Sequence, residues 1–192
     1  MSTPTDPDSP HRQEKLLLAS SAGSNQPAKT NAEVLLYPVA QSEIPALARL
    51  YMKAYKGMEE YGEASTDQAA HYLQNIHRFC AKGFFKAVIH GRTAGFIVCD
   101  PDWYEPGQRK VLEIHEVVVD PDFQGYGLGG LFMRFAGAMG RKHGRSMVSL
   151  WAGEGNRRAI NWYTRKFGFQ EGRRDGVWIH YQSSIETVLG QQ

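Results

Sequence analysis

Apolar residues follow two spacings along this chain from Val34 onward, and each spacing predicts one kind of element. Runs of β-branched and aromatic residues bounded by turn formers predict strands, whereas apolar residues that recur every three or four positions predict helices. The predicted strands are Val34–Val39, Phe84–His90, Gly95–Cys99, Leu112–Val119, Met147–Trp151, and two closing strands around Phe169 and Val177–Tyr181. The predicted helices begin near Ser42, Thr66, Leu128 and Asn156. The order β-α-α-β-β-β-α-β-α-β-β, without an internal repeat, predicts one α/β domain with a mixed sheet.

Turn and cap residues mark the ends of these elements. Ser42 with Pro45 is a typical helix start, and Asn156 is a candidate N-cap. Gly168 is placed to end the last long helix. A turn through Gly91 joins the second and third strands as a hairpin, and Asp100–Gln108, with two prolines and a glycine, is predicted to be a loop.

The start of the chain differs from the rest in composition. The first 30 residues are rich in Ser, Pro, Thr, Asn and Gln, and their one apolar cluster is Leu16–Leu18. Such a segment buries too little apolar surface to offset its ordering entropy, and the cluster is too short for a secretory signal. We therefore predict a flexible tail over residues 1–32, the folded domain over 33–185 and a short tail over 186–192.

Charge, hydropathy and cysteine usage exclude several function classes. A formal net charge of +2 does not favour a nucleic-acid partner, and no apolar run approaches the roughly 20 residues that span a bilayer. Cys80 and Cys99 lack the CxxC spacing of a metal or redox motif. We expect a cytoplasmic protein without a membrane, nucleic-acid or metal partner.

The segment Val117–Gly130 carries the clearest candidate chemistry. A β-branched run ends at Asp120, and a glycine-rich turn follows and opens onto the helix from Leu128. Glycines let the backbone approach a phosphate closely, and the free amides at a helix start attract negative charge. A phosphorylated cofactor is therefore expected.

Three other interpretations of this glycine turn compete. Gly125, Gly127 and Gly130 fit the dinucleotide pattern G-x-G-x-x-G, but a hairpin-rich region precedes them and only a short segment follows. A nucleoside-triphosphate loop would need Lys and Ser/Thr where Leu131 and Phe132 stand. A purely structural turn stays open.

Two motifs resemble the GNAT superfamily of acetyl-CoA-dependent N-acetyltransferases. Gln124-Gly-Tyr-Gly127-Leu-Gly129 is similar to the signature Q/R-x-x-G-x-G/A, and Asn156–Phe169 is similar to the second cofactor-side motif. The resemblance covers roughly Val34–Tyr181. It implies a central mixed sheet with helices on both faces, acetyl-CoA as cofactor, and direct transfer of acetyl to a primary amine of a small molecule or protein. A catalytically idle CoA-binding sensor or interaction module, and an acyltransferase that uses another acyl-CoA, are the alternatives.

The resemblance also assigns cofactor-side residues. The glycine loop and helix start would hold the pyrophosphate, the strand before it would pair with the pantetheine arm, and the second motif would supply further contacts. The expected contacts are Val117, Val118, Val119, Gln124, Gly125, Tyr126, Gly127, Leu128, Gly129, Gly130, Asn156, Tyr163 and Lys166.

The resemblance places the acid at Tyr163, which would protonate the departing thiolate. A base is also needed, since a lysine-like amine has a pKa near 10.4 and must lose a proton before it attacks. Strand alternation predicts that one face carries four residues together, namely Glu113, His115, Val117 and Val119. On that basis we expect Glu113 and His115, rather than Glu116, in the acceptor cleft. The family also allows a homodimer.

Overall fold

The computed structural model describes residues 14–16, 33–107 and 109–190, which form an eight-stranded sheet with helices on both faces. The strands are β1 Glu14–Leu16, β2 Val34–Pro38, β3 Phe84–Ile89, β4 Arg92–Glu105, β5 Arg109–Val119, β6 Met147–Gly153, β7 Gln170–Asp175 and β8 Trp178–Ser184. The helices are α1 Ile44–Ala54, α2 Thr66–Cys80, α3 Leu128–Lys142, α4 Arg157–Phe167 and α5 Ile185–Gly190.

The strand order is β1-β2-β3-β4-β5-β6-β8-β7. Every neighbouring pair is antiparallel except β5 and β6, which run parallel on either side of the crossover through α3. A parallel pair requires such a crossover, because the chain must return to the same end of the sheet. The one parallel pair therefore lies at the centre of the sheet, and it positions the site described below.

Two apolar cores cover the two faces. One lies beneath α1 and α2 and includes Phe84, Phe96 and Val118; the other lies beneath α3 and includes Leu112 and Phe132. Local signals fix the helix ends: Ser65 Oγ accepts a hydrogen bond from the amide of Gln68 at the start of α2, and Gly168 ends α4 with a φ of +63°. None of the helices in the described ranges combines the length and apolar character needed to cross a bilayer.

The predicted fold class and element order are confirmed, with differences in β4 and after residue 185. The segment predicted as a loop continues β4 as far as Glu105. Pro101 is tolerated because it lies in a bulge between Asp100 and Trp103, where the strand does not need its missing N–H for pairing. Residues 185–190 form α5, which packs on α3 through the buried side chain of Val188. The folded unit thus extends beyond the predicted boundary at residue 185.

The predicted tail, residues 1–32, lies outside the described residues except for Glu14–Leu16. That short segment pairs with β2 as an edge strand. The predicted hairpin between β3 and β4 is present, with left-handed φ angles of +48° at His90 and +73° at Gly91.

Candidate active site

The parallel strands β5 and β6 are paired over a short stretch and then separate. Their register runs from Leu112 opposite Val148 to Ile114 opposite Leu150, although β5 continues to Val119. Within the described residues, the edge of β5 beyond Ile114 that faces β6 has no strand partner. Its N–H and C=O groups are therefore available to an extended ligand.

The glycine turn lies at the open end of this gap. Gly125 and Gly127 have φ angles of +88° and +76°, which residues with a Cβ rarely adopt. Gly127 is the N-cap of α3, and the first helical hydrogen bond there runs from the Leu131 amide to the Gly127 carbonyl. Amides in the first helical turn have no intrahelical acceptor, so the loop and helix start present donors to an anion.

Gly129 is required by close packing with α4. A Cβ at Gly129 would lie 3.0 Å from the ring of Trp162, which is closer than nearly all carbon contacts. The Trp162 ring also packs on Phe167, 4.9 Å between centroids. The small residue therefore brings the start of α3 against α4, whose residues form one wall of the gap.

A cavity of about 990 Å³ fills the gap between the strands. Its walls come from α1 and the segment after it, the free part of β5, the glycine turn, the end of β6 and one face of α4. Predicted site residues among its lining are His115, Val117, Val118, Val119, Gln124, Gly125, Gly127, Leu128, Gly129, Gly130, Asn156 and Tyr163.

Three predicted residues lie outside this lining. The ring of Tyr126 packs against Phe123, 5.7 Å between centroids. Lys166 is an exposed residue of α4. Glu113 lies deeper in the sheet, where β5 and β6 are still paired. Asn156 does line the cavity, and its Oδ1 also caps α4 by accepting a hydrogen bond of 3.2 Å from the Ala159 amide.

A β-bulge in β5 changes which side chains share a face. Val98 of β4 is opposite Glu116, whereas the next residue, Cys99, is opposite Ile114. His115 is therefore an extra residue on β5. A bulge of this kind reverses the alternation of side chains on its far side.

Packing on the two sides of the sheet agrees with this reversal. Leu112 and Ile114 lie in the core beneath α3, and so does Val117, whereas Val118 lies beneath α1 and α2. Glu116 also faces α1 and α2, where it contacts two tyrosines. The prediction of one shared face is therefore wrong for the set Glu113, His115, Val117 and Val119.

Glu113 does not lie in the cleft as predicted. It is 2% exposed, and its carboxyl group accepts a hydrogen bond from the hydroxyl of Ser149 on β6. Burial raises the pKa of Glu113 to about 7, although the Ser149 hydrogen bond opposes this rise. Glu113 therefore belongs to a buried polar group behind the cavity.

His115 lines the cavity with its ring between two aromatic edges. Phe79 and Trp103 make edge contacts with it at centroid distances of 5.6 and 5.2 Å. Its Nε2 is buried, lies 3.8 Å from Asp100 Oδ2, and has no hydrogen-bond partner among the described residues. Its role as a base stays a prediction.

Glu116, which sequence reasoning set aside, is held inside the site. Its two carboxylate oxygens accept hydrogen bonds from Tyr72 at 2.8 Å and Tyr55 at 3.2 Å. Burial raises the pKa of Glu116 to about 7, against the lowering effect of both tyrosines, and the nearby carboxylate of Glu63 raises it further. A carboxyl group with such a pKa can accept a proton near neutral pH. No feature of the sequence indicates the bulge that brings Glu116 here.

Tyr163 lies on the α4 wall of the cavity, opposite the open part of β5. Burial raises the pKa of its phenol, and the negative charge of Glu116 raises it further. The phenol therefore stays protonated at neutral pH and can donate a proton. Glu116 and Tyr163 line the same cavity.

Arg158, a further lining residue, was not predicted from the sequence. Arg158 of α4 donates a hydrogen bond of 3.4 Å to Gln124 Oε1 and so brings a positive charge to the glycine turn. Its place two residues after Asn156 in the second motif was the available signal. At the other end of the cavity stand three aromatic residues from three different segments, Tyr61, Trp151 and Trp178.

Comparison with known proteins identifies the family of this chain. The sequence model of the Acetyltransferase (GNAT) family matches residues 44–169. An uncharacterized N-acetyltransferase of Methanocaldococcus jannaschii is 37% identical over 148 residues, which are 77% of this chain and 65% of that protein; the chain thus spans just under two thirds of this relative.

Solved structures agree with this family. A protein of Pyrococcus horikoshii superposes with a TM-score of 0.70 at 34% identity, covering 79% of this chain and 98% of the other. The PaiA N-acetyltransferase of Thermoplasma acidophilum, solved with coenzyme A, gives 0.64 at 14% identity over 79% and 99% of the two chains, a likeness of fold alone. The resemblance found in the two motifs is confirmed: this chain belongs to the GNAT acetyltransferase family.

Proposed function

We propose that this protein transfers the acetyl group of acetyl-CoA directly to a primary amine of a small molecule or protein. The observation that carries the proposal is the position of Glu116 and Tyr163 on one cavity that begins at the glycine turn and follows the open edge of β5. A fold neighbour binds coenzyme A, and family membership makes acetyl-CoA the expected cofactor.

The cavity offers a contact for each part of the cofactor. The free amides of the glycine turn and α3 would hold the pyrophosphate, and Arg158 would add a positive charge beside them. The unpaired edge of Val117–Val119 would hydrogen-bond the amides of the pantetheine arm as a missing strand does. Because these contacts use backbone groups, the valine side chains remain free to pack in the cores.

Glu116 is the base in this proposal, in place of Glu113. It would take one proton from the ammonium group; the neutral nitrogen could then form the bond to the acetyl carbon as the carbon–sulfur bond breaks, and the second nitrogen proton would pass to solvent as the amide forms. A base with a pKa of about 7 is half-ionised near neutral pH, which suits a group that must both accept and release a proton. Glu113 is 2% exposed and hydrogen-bonded to Ser149 of β6, and it is absent from the cavity lining, which favours Glu116 over it.

Tyr163 is the acid in this proposal. Its phenol would donate a proton to the departing sulfur, so that free thiol rather than thiolate leaves the site. Its raised pKa keeps this proton on the oxygen until negative charge develops on sulfur. The acid and the base thus belong to opposite walls, α4 and β5, with the reacting atoms between them.

The test is thiol release from acetyl-CoA with a panel of amines, with mass spectrometry of the products. Wild-type protein should yield free thiol and acetylated amine in equal amounts, and Glu116→Gln should yield little of either. Glu186→Gln, an exposed residue of α5, is the matched control. Binding of coenzyme A without product from any amine would support a sensor instead, and activity only with a longer acyl-CoA would support the other acyltransferase. Unchanged melting temperature with coenzyme A and acetyl-CoA would refute the proposal.

A further inference from the structure

Behind the cavity, a second group of polar side chains is buried in the sheet. Glu105 of β4, Glu113 of β5 and His180 of β8 are 5%, 2% and 3% exposed. Each offers one oxygen or nitrogen atom, and these three atoms lie within 4.8 Å of one another. The acetyl-transfer chemistry described above uses none of them.

We propose that Glu105, Glu113 and His180 form a binding site for a divalent transition-metal ion, with zinc as the best-matched ion. Two carboxylate oxygens and one imidazole nitrogen are ligands that zinc takes in proteins. They come from three strands whose backbone positions the sheet fixes. Their separation in sequence explains why no ligand spacing is visible there.

Each of the two carboxylates also accepts a hydrogen bond from a neighbouring side chain. Ser149 donates a hydrogen bond to Glu113 Oε2, and Arg173 donates one of 2.9 Å to Glu105 Oε2. Each carboxylate is thereby oriented through one oxygen, while Glu105 Oε1 points to His180. Ligands of protein-bound metals are commonly oriented by donors in this way.

Two of the ligand atoms already lie close together. Glu105 Oε1 lies 2.8 Å from His180 Nε2. Ligand atoms around a tetrahedral zinc ion with bonds of about 2.0–2.2 Å lie about 3.3–3.6 Å apart, so this pair would open by about 0.5–0.8 Å to admit the ion. The ion replaces the proton that this pair shares, and that proton passes to solvent when the metal binds.

Charge favours a cation at this place. Two buried carboxyl groups face one guanidinium, that of Arg173, whose side chain is 44% exposed. A bound cation would pair with the second carboxyl group in its ionised form, because a buried charge needs a partner. Arg173 also lies over the ring of Trp151, which lines the cavity, and His180 contacts the same ring. A bound ion would therefore fix β4, β5 and β8 directly behind the aromatic end of the cavity.

Zinc titration of tag-free, full-length protein tests the proposal. After treatment with a chelator, wild-type protein should bind one equivalent of Zn²⁺ in equilibrium dialysis, and its melting temperature should rise. Co²⁺ as a substitute should give visible absorption bands of a bound ion. His180→Gln and Glu113→Gln should abolish both effects, and Ser149→Ala should weaken affinity by about 10- to 100-fold.

Two controls separate this site from surface binding and from misfolding. His143→Gln and Glu171→Gln change the same residue types at exposed positions and should bind zinc as wild type does. Circular dichroism and coenzyme A binding report whether each variant is folded. Absence of a saturable equivalent in wild type, or equal loss in His143→Gln, would overturn the proposal. So would full binding by a folded Glu113→Gln or His180→Gln variant.

Discussion

The hydroxyl of Tyr72 donates a hydrogen bond of 2.8 Å to Glu116 Oε1, and so joins the middle of α2 to the strand that lines the cavity. Tyr55, at the end of α1, holds the other oxygen. Two helices thus fix one carboxylate from two directions. Orientation and acidity of the proposed base depend on the same pair of contacts.

Removal of one of these contacts should move the pH dependence of acetyl transfer. Hydrogen bonds from Tyr72 and Tyr55 lower the pKa of Glu116, whereas burial and Glu63 raise it, so Tyr72→Phe should raise it above about 7. A hydrogen bond to a charged group contributes about 1.5–3 kcal/mol, which corresponds to roughly one to two pH units. The midpoint of the acid limb of kcat/KM should shift upward by at least about one pH unit. Tyr104→Phe, an exposed control, should leave the midpoint unchanged; an equal shift there would contradict this cause.

Loss of the base should slow the chemical step without loss of cofactor binding. We expect Glu116→Gln to lower kcat by about 10² to 10⁴-fold, the usual contribution of a positioned base. Dissociation constants for coenzyme A, measured by calorimetry, should stay within about threefold of wild type, since no cofactor contact is assigned to this carboxylate. A Glu116→Gln variant with near wild-type kcat would exclude Glu116 as the base.

The same substitution should alter how stability depends on pH. Burial raises the pKa of folded Glu116 from its ordinary 4.5 to about 7, so the folded state binds the proton more tightly than the unfolded state. Its stabilising contribution is therefore fully present below pH 4.5 and is lost as pH rises through 7. Urea unfolding of Glu116→Gln should show a smaller decline between pH 5 and 8 than wild type shows. Parallel declines in the two proteins would contradict this linkage.

Tyr163→Phe tests the proposed acid. It removes one oxygen from a partly buried ring, so the packing of α4 should change little while the departing sulfur loses its proton donor. We expect kcat to fall by about 10²-fold or more with KM for the amine nearly unchanged. An acyl donor with a more acidic thiol leaving group should recover part of the loss. Equal loss with both donors would argue for a packing role only.

Alanine substitutions at two glycines in the left-handed conformation distinguish an effect on cofactor binding from an effect on stability. Gly125 at the cavity and Gly144 after α3 have φ angles of +88° and +68°, and a Cβ at either would meet no atom within 4 Å. Alanine at each should lower the free energy of unfolding by about 1–2 kcal/mol. Gly125→Ala alone should weaken coenzyme A binding, because it disturbs the loop amides. Equal affinity in the two variants would show that the loop does not hold the cofactor.

The sequence predicts the helices and strands of this fold well, but it does not predict which face of the sheet each side chain of β5 occupies. Periodicity located α3 and α4, and the glycines at positions 127 and 168 marked a start and an end, because helix ends depend on local backbone conformation. The bulge at His115 depends instead on pairing with Val98 and Cys99, which are distant in sequence. A regular strand could have the same residues Ile114-His-Glu116, so these residues do not reveal the bulge.

The continuation of β4 past Pro101 was hidden for a related reason. Proline is a strong signal against a strand, and only the partner strand shows that no hydrogen bond is required at that position. Prediction therefore succeeded where conformation is local and failed where a strand is irregular. The wrong assignment of Glu113 follows directly from the second case.

Because His115 is an extra residue, the alternation of side chains between the two faces of β5 reverses at this position. Before it, Leu112 and Ile114 pack beneath α3; after it, Val117 and Val119 do. A regular strand could not keep both Ile114 and Val117 beneath α3, because positions three residues apart lie on opposite faces of a strand. The same residues in a strand without the bulge would turn the carboxylate of Glu116 into the apolar core beneath α3 and away from Tyr72.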